Sequence, residues 1–175
     1  ARGVDHVSGE ALEAKLIGLV LPNGLRVDDV ELQAGTFRAM REPFSLAMPA
    51  PARLVARLGA RSIANFLEET TPETMRNFEV GTEGGHLYVR ASVRILLEVR
   101  GLLVLRLDVE DGKRVMARLV DAQFMGVNPR QLIQNQLDQF NPLLDLADFP
   151  VEGEISRITI SEGHVEVEAL LSPPG

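Results

Sequence analysis

The sequence predicts an α+β fold in which an antiparallel β-sheet wraps around one long and one short helix. Three observations carry this: long two-residue alternations of apolar and polar side chains, Gly-containing turns between them, and only two segments with helical spacing.

Near the N-terminus, Leu21-Pro22, Val27, Val30, Leu32, Gly35 and Phe37 form a strand-turn-strand unit. At one constant offset it matches Phe149-Pro150, Ile155, Ile158, Ile160, Gly163 and Val165 near the C-terminus. Two hairpins of like design are therefore expected to open and close the chain, although any two amphipathic hairpins share such a pattern. The spacing is not that of a solenoid repeat.

Segment 51–69 divides at Gly59. At 100° per residue, Leu54 and Leu58 fall nearly opposite Ile63 and Leu67, so one helix would have no single apolar stripe. Residues 52–58 instead alternate as a strand, and a short helix over 60–69 buries Ile63, Phe66 and Leu67.

From 87 to 99 the odd positions are Leu87, Val89, Ala91, Val93, Ile95, Leu97 and Val99, which predicts one long strand with one buried face. Its partner is expected after Gly101, over 102–109. There both faces are apolar, which requires cover on both sides. Glu110-Asp111-Gly112-Lys113 holds the Asp-Gly pair of a tight hairpin and leads into a third strand over 114–125.

The longer helix is expected over 129–140, with Asn128 as N-cap, Pro129 in the first helical position and Asn141-Pro142 as the stop. Its apolar stripe is Leu132, Ile133, Leu137 and Phe140, and Gln131, Gln134, Asn135, Asp138 and Gln139 form the other face. The following run, Leu143 to Pro150, is an apolar loop that seals a core or touches a ligand. Ile158 and Ile160, the turn Ser161-Glu162-Gly163, and Val165, Val167 and Ala169 close the chain.

The 175 residues, 45% of them hydrophobic, suffice for one domain over 1–175 with its core over about 15–170. Without Trp and with Tyr88 as the one tyrosine, the interior must be aliphatic. A net charge of −7 repels nucleic-acid phosphates and gives no general pull toward anionic lipid surfaces. The absence of cysteine removes disulfides and thiol chemistry but leaves the compartment open. No run reaches the length of a spanning helix, and no signal segment is present. Ala1 as first residue fits either a trimmed export signal or a recombinant start.

Catalytic and metal patterns are weak. His6, His86 and His164 each stand alone near a turn, so a zinc site is not expected. Ser62 follows Gly59 without the second glycine of a nucleophile elbow. Asp108, Glu110 and Asp111 lack the spacing of a calcium loop, and no glycine pattern cradles a phosphate. Nothing singles out a carboxylate pair among Glu13, Glu42, Glu79 and Glu152. Arg90 and Arg94 share a strand face and suit either a phosphate or plain solvent. The unusual feature is apolar supply: the doubly apolar strand, the apolar loop, and Met40, Met48 and Met125 near segment edges.

The order of parts resembles the bacterial LmeA-like phospholipid-binding family. The residues that carry the likeness are Val27-Asp28-Asp29-Val30-Glu31-Leu32, Ser62 to Leu67, Glu110-Asp111-Gly112, the Pro129 helix, Asp145-Leu146-Ala147-Asp148-Phe149-Pro150, and Ile155, Ile158, Ile160 and Glu162-Gly163. They span roughly Lys15 to Ala169, and the segment from 145 to 150 with the helix before it matches best.

The resemblance implies a half-module of the tubular lipid-binding (TULIP, or BPI-like) type, a strongly twisted antiparallel sheet curling round a helix with lipid tails between. It also implies export to the periplasm or cell envelope, and no catalytic residues or cofactor. The expected function is thus non-catalytic binding of a lipid or phospholipid acyl chain in an apolar trough. The expected lining is Leu103 and Leu105 from the sheet, Leu132, Ile133, Leu137 and Phe140 from the helix, and Leu143, Leu144 and Phe149 at its end. Peripheral membrane contact and a homodimer are compatible partners; nucleic acid is not. A different class is an envelope scaffold with a filled core that pairs through a sheet edge. A lipid-acting enzyme comes third and requires a Ser/His or carboxylate pair beside the trough.

Overall fold

The computed structural model describes residues 6–9, 12–34, 37–41, 44–47, 52–148 and 152–172. In chain order these form β1 (His6–Gly9), β2 (Leu12–Val20), β3 (Arg26–Ala34), β4 (Phe37–Arg41), β5 (Phe44–Ala47), β6 (Ala52–Gly59) and α1 (Ala60–Thr70). There follow β7 (Met75–Glu83), β8 (His86–Arg94), β9 (Glu98–Glu110), β10 (Arg114–Gln123) and α2 (Arg130–Phe140). The chain closes with β11 (Leu144–Asp145), a single 3-10 turn at Leu146–Asp148, β12 (Glu152–Ser161) and β13 (His164–Ser172).

Two five-stranded antiparallel sheets dominate, one ordered β12-β13-β6-β3-β2 and the other β11-β10-β9-β8-β7; β1, β4 and β5 form a third, small sheet. The architecture is α+β with a strongly curled sheet. Inward side chains of both large sheets and of both helices belong to one hydrophobic cluster. The alternation read from the sequence sets the inward faces: Leu87, Val89, Ala91 and Val93 on β8, and Val165, Val167, Ala169 and Leu171 on β13, are all buried. Each Val and Leu among them contributes about 1.5–3 kcal/mol of transfer free energy when fully removed from water.

The outer face of the first large sheet is a ladder of ion pairs. Arg57 on β6 lies 2.8 Å from Asp29 and 3.1 Å from Glu31 on β3, and 2.8 Å from Glu166 on β13. Hydrogen bonds that it donates to Glu166, Glu31 and Asp29 push its guanidinium pKa still further up, so it stays a cation at every working pH. Beside it Arg53 pairs with Glu168.

The strand at 52–58 and the helix at 60–69 are found as β6 and α1, split at Gly59. The split has a physical cause: the carboxylate of Asp28 accepts the Gly59 N–H and stands where a Cβ would project. Its other oxygen accepts the Ser62 hydroxyl at 2.5 Å. A residue of β3 thereby holds the first turn of α1, which has no side-chain cap of its own. Ser62 is a helix-start residue, as its sequence context indicated.

Four sequence readings need correction. The run 87–99 is not one strand: β8 ends at Arg94, residues 95–97 turn, and β9 begins at Glu98, with Val93 opposite Val99. The alternation ran on through Ile95 and Leu97 because this hairpin turn contains no Gly, Pro, Asn or Asp to mark it. Gly101, read as the turn, lies within β9 opposite Ala91. Its missing side chain makes room for the Phe124 ring and the Gln123 carbonyl.

Second, β9 is not covered on both faces alike. Leu103 and Leu105 are buried, whereas Leu102 and Val104 on the other face are half-buried. Third, the N-terminal unit does not form a second hairpin. β12 and β13 pair with each other, but β3 pairs with β2 and β6, while β4 pairs with β1 and β5. Fourth, α2 starts at Arg130 and Pro129 takes the N-cap position; Asn128 still accepts the Arg130 N–H, at 3.3 Å. Strand β7 was unforeseen. A bulge between Arg76 and Glu79, with Asn77 at φ 59°, breaks its alternation.

Candidate functional site

The two large sheets and both helices border a partly open space between them, and its lining among the described residues is entirely apolar. Leu87, Val89, Leu105, Leu107, Val115 and Ala117 come from one sheet, and Leu58, Val165 and Val167 from the other. Helix α1 supplies Ile63, Phe66 and Leu67, α2 supplies Leu137 and Phe140, and Leu25, Leu143 and Leu144 complete the lining. No polar or titratable side chain is among them.

Local chemistry explains how this wall is held. Asn141, just past α2, uses its side-chain amide as a short piece of strand: Oδ1 accepts the Ala117 N–H at 2.8 Å and Nδ2 donates to the Ala117 carbonyl at 3.0 Å. Leu143 N–H then donates to the Val115 carbonyl at 2.9 Å, and β11 pairs with β10 at Leu144 and Val115. The run after α2 is thus stitched to the edge of β10, burying Leu144 and Leu146. On the outer side of α2, Gln131 donates to Asn135 and Gln134 to Asp138, both at 3.0 Å. The rings of Phe66 and Phe140 meet across the space.

Among the expected lining residues, the structure brings Leu105, Leu137, Phe140, Leu143 and Leu144 onto the wall. Leu103 and Ile133 are buried elsewhere in the core, and Leu132 packs half-buried against it. Phe149 lies outside the described residues. The reading missed the contributions of α1, β8, β10 and β13. Their inward periodicity was visible, but that both sheets face one space was not.

The cavity is small, about 50 Å³. That volume admits a few waters at most and is below the roughly 150 Å³ of an apolar cavity that takes benzene. The trough expected from the sequence is thus a narrow seam between layers, smaller as it stands than an acyl chain requires.

The other candidates are dispersed. Arg90 and Arg94 are exposed and line different grooves. Asp108, Glu110 and Asp111 are neutralised by Arg106, Arg114 and Arg118 at 3.1–3.9 Å. Among the described residues, the polar groups near His86 and His164 are the carbonyls of Gly84 and Glu162 within their own turns, with Glu166 lying 3.8 Å from His164. Among the described residues, no three His, Asp or Glu side chains cluster as a metal site, and no helix is long and apolar enough to cross a membrane.

A curled-sheet domain whose site between layers offers only hydrocarbon among the described residues belongs to the class of proteins suited to apolar ligands. The chain is a member of the LmeA-like phospholipid-binding family, whose family model matches residues 10–169. Comparison with curated proteins and with solved structures gave no match.

Proposed function

We propose that the domain binds phospholipid by taking an acyl chain into the seam between its two large sheets and two helices, and that it carries out no chemistry on the lipid. The observation that carries this reading is the wholly apolar wall, to which both large sheets and both helices contribute. Each methylene moved from water into such a wall gains about 0.8 kcal/mol, so a partial tail suffices for useful affinity. Because the volume is about 50 Å³, binding is coupled to outward movement of the helices, which are held to each other by the Phe66–Phe140 contact and to the sheet through Asn141 and Asp28. In this reading the domain is one half of a tubular lipid-binding module and works in the bacterial envelope. Fractionation of cells expressing the full-length protein tests that location.

Lipid extraction and mass spectrometry of the purified protein test the binding. The expected result is co-purified phospholipid that is lost in Ala117→Phe, which fills the seam. A protein that refolds and remains lipid-free after incubation with phospholipid overturns the reading.

One observation favours a scaffold instead. Edge strand β2 exposes Leu16, Ile17 and Val20 at 56%, 76% and 61%. A dimer in solution that Ile17→Lys disrupts, together with no extractable lipid, is the outcome that reading requires.

A further inference from the structure

The turn between β8 and β9 is built against the usual chemistry of hairpins. Turn positions favour Gly, Asn and Asp, which adopt positive φ or bond their own backbone. Here Ile95, Leu96 and Leu97 occupy the turn, with 51%, 94% and 76% of their surfaces exposed. Nothing among the described residues covers them.

A second feature stands at the same end of the sheet. β10 ends with Gln123 opposite Leu102, four residues into β9, and the chain continues past Phe124 to Met125, which is 89% exposed. The two most exposed large apolar side chains among the described residues, Leu96 and Met125, thus share one end of one sheet. Leaving this much hydrocarbon in water is unfavourable unless something receives it.

The charges beside the turn indicate what that is. Arg94 immediately precedes it and Arg76 lies on the neighbouring strand opposite Ser92; both flank a groove with Leu96, Leu97 and Glu98. Neither arginine has a carboxylate within 4 Å among the described residues, although Glu73 and Glu98 are close in sequence; Arg76 donates to the Glu73 carbonyl at 3.4 Å. The other arginines at this end are engaged, Arg100 with Glu79 at 3.4 Å and Arg130 with Asp121 at 3.9 Å.

We propose that this end is a membrane-docking edge: Ile95, Leu96 and Leu97, with Met125 beside them, enter the boundary between headgroups and acyl chains of a phospholipid bilayer, while Arg76 and Arg94 meet lipid phosphates. Arginine suits that level, since its stem follows apolar surface and its head pairs bidentately with phosphate. Insertion of apolar side chains supplies the hold. With a net charge of −7 the chain gains no long-range attraction to anionic membranes, so vesicles of zwitterionic lipid suffice. A second copy is the poorer fit, because a hairpin tip falls short of the roughly 800 Å² per partner of a stable interface. The proposal goes beyond acyl-chain binding, since docking does not require a tail in the seam.

Cosedimentation of the whole chain with phosphatidylcholine vesicles, with and without phosphatidylglycerol, tests it. The expected result is binding to both. Leu96→Ser combined with Leu97→Ser weakens it at least tenfold, and Arg76→Gln combined with Arg94→Gln weakens it severalfold. All four positions are exposed, and circular dichroism checks the fold. The content of extracted lipid is expected to be unchanged in the tip variant. Failure of the parent protein to sediment with vesicles overturns the proposal, as does a folded tip variant that binds like the parent. A dimer abolished by the tip substitutions, without vesicle binding, also overturns it and assigns the tip to a second copy. Vesicle binding by a protein that takes up no lipid supports docking while removing acyl-chain binding.

Discussion

Phe66 on α1 and Phe140 on α2 meet with ring centroids 5.6 Å apart and planes inclined by 56°. This tilted pair lies within the distance range aromatic rings favour, an arrangement worth about 0.5–1.5 kcal/mol beyond simple burial. Both rings also line the seam, so the contact fastens together the two elements that must part under the proposed mode of binding. Phe66→Ala is expected to lower stability by about 3–5 kcal/mol, and Phe140→Ala, at a half-buried position, by less. A double-mutant cycle in urea should give a coupling of the size stated for the ring pair. A coupling of zero would mean that the helices dock independently.

Asp28 serves as the missing cap of α1 from a strand distant in sequence, accepting the Gly59 N–H and the Ser62 hydroxyl. Asp28→Ala leaves that donor and hydroxyl without their charged acceptor and is expected to cost about 1–3 kcal/mol. Asp28→Asn keeps an acceptor oxygen and should recover part of this. Thermal unfolding followed at a helical wavelength makes the comparison, and an unchanged midpoint in Asp28→Ala would contradict the capping role.

Asn141 satisfies both backbone groups of Ala117. Replacing it with Ala strands a donor and an acceptor at a half-buried edge, an expected loss of about 1–3 kcal/mol. Asn141→Asp should not rescue it, because a carboxylate has no proton to donate to the Ala117 carbonyl. Hydrogen exchange at the Ala117 amide reports the bond directly: protection should fall in Asn141→Ala.

Stability should also depend on pH through Glu168. The hydrogen bond from Arg53, and then the charges of Arg53 and Arg157, hold its carboxyl below the ordinary carboxylate range. A carboxylate with a depressed folded-state pKa binds fewer protons folded than unfolded. Its contribution is therefore complete above the unfolded value of about 4.3 and is lost as pH falls through the lower folded value. The melting temperature is expected to drop across that acidic window and to drop less in Glu168→Gln. Parallel curves for the two proteins would exclude the effect.

The strands β8, β10, β12 and β13 and both helices were legible because a side-chain period is a local property, fixed by backbone geometry and by which face meets water. Even the break at Gly59 could be read, from the failure of one apolar stripe to continue through it. Features that depend on a neighbour were not legible. The bulge at Asn77 concealed β7, and the apolar turn at Ile95–Leu97 resembled continued strand, since its residues do not carry the usual turn chemistry. Gly101 looked like a turn residue until the Phe124 ring was found against it.

The candidate site divides in the same way. By itself, the sequence determined an aliphatic interior, strands with one inward face, an amphipathic α2, and membership of a phospholipid-binding family through the order of these parts. Tertiary structure alone decided that both large sheets turn their apolar faces to one seam of about 50 Å³, that Leu105 lines it while Leu103 does not, and that β3 joins β6 rather than folding back on β4. The physical reason is that alternation specifies which side of a strand is buried but not what it is buried against. Strand order and enclosed volume arise from long-range pairing and close packing, which no single segment encodes.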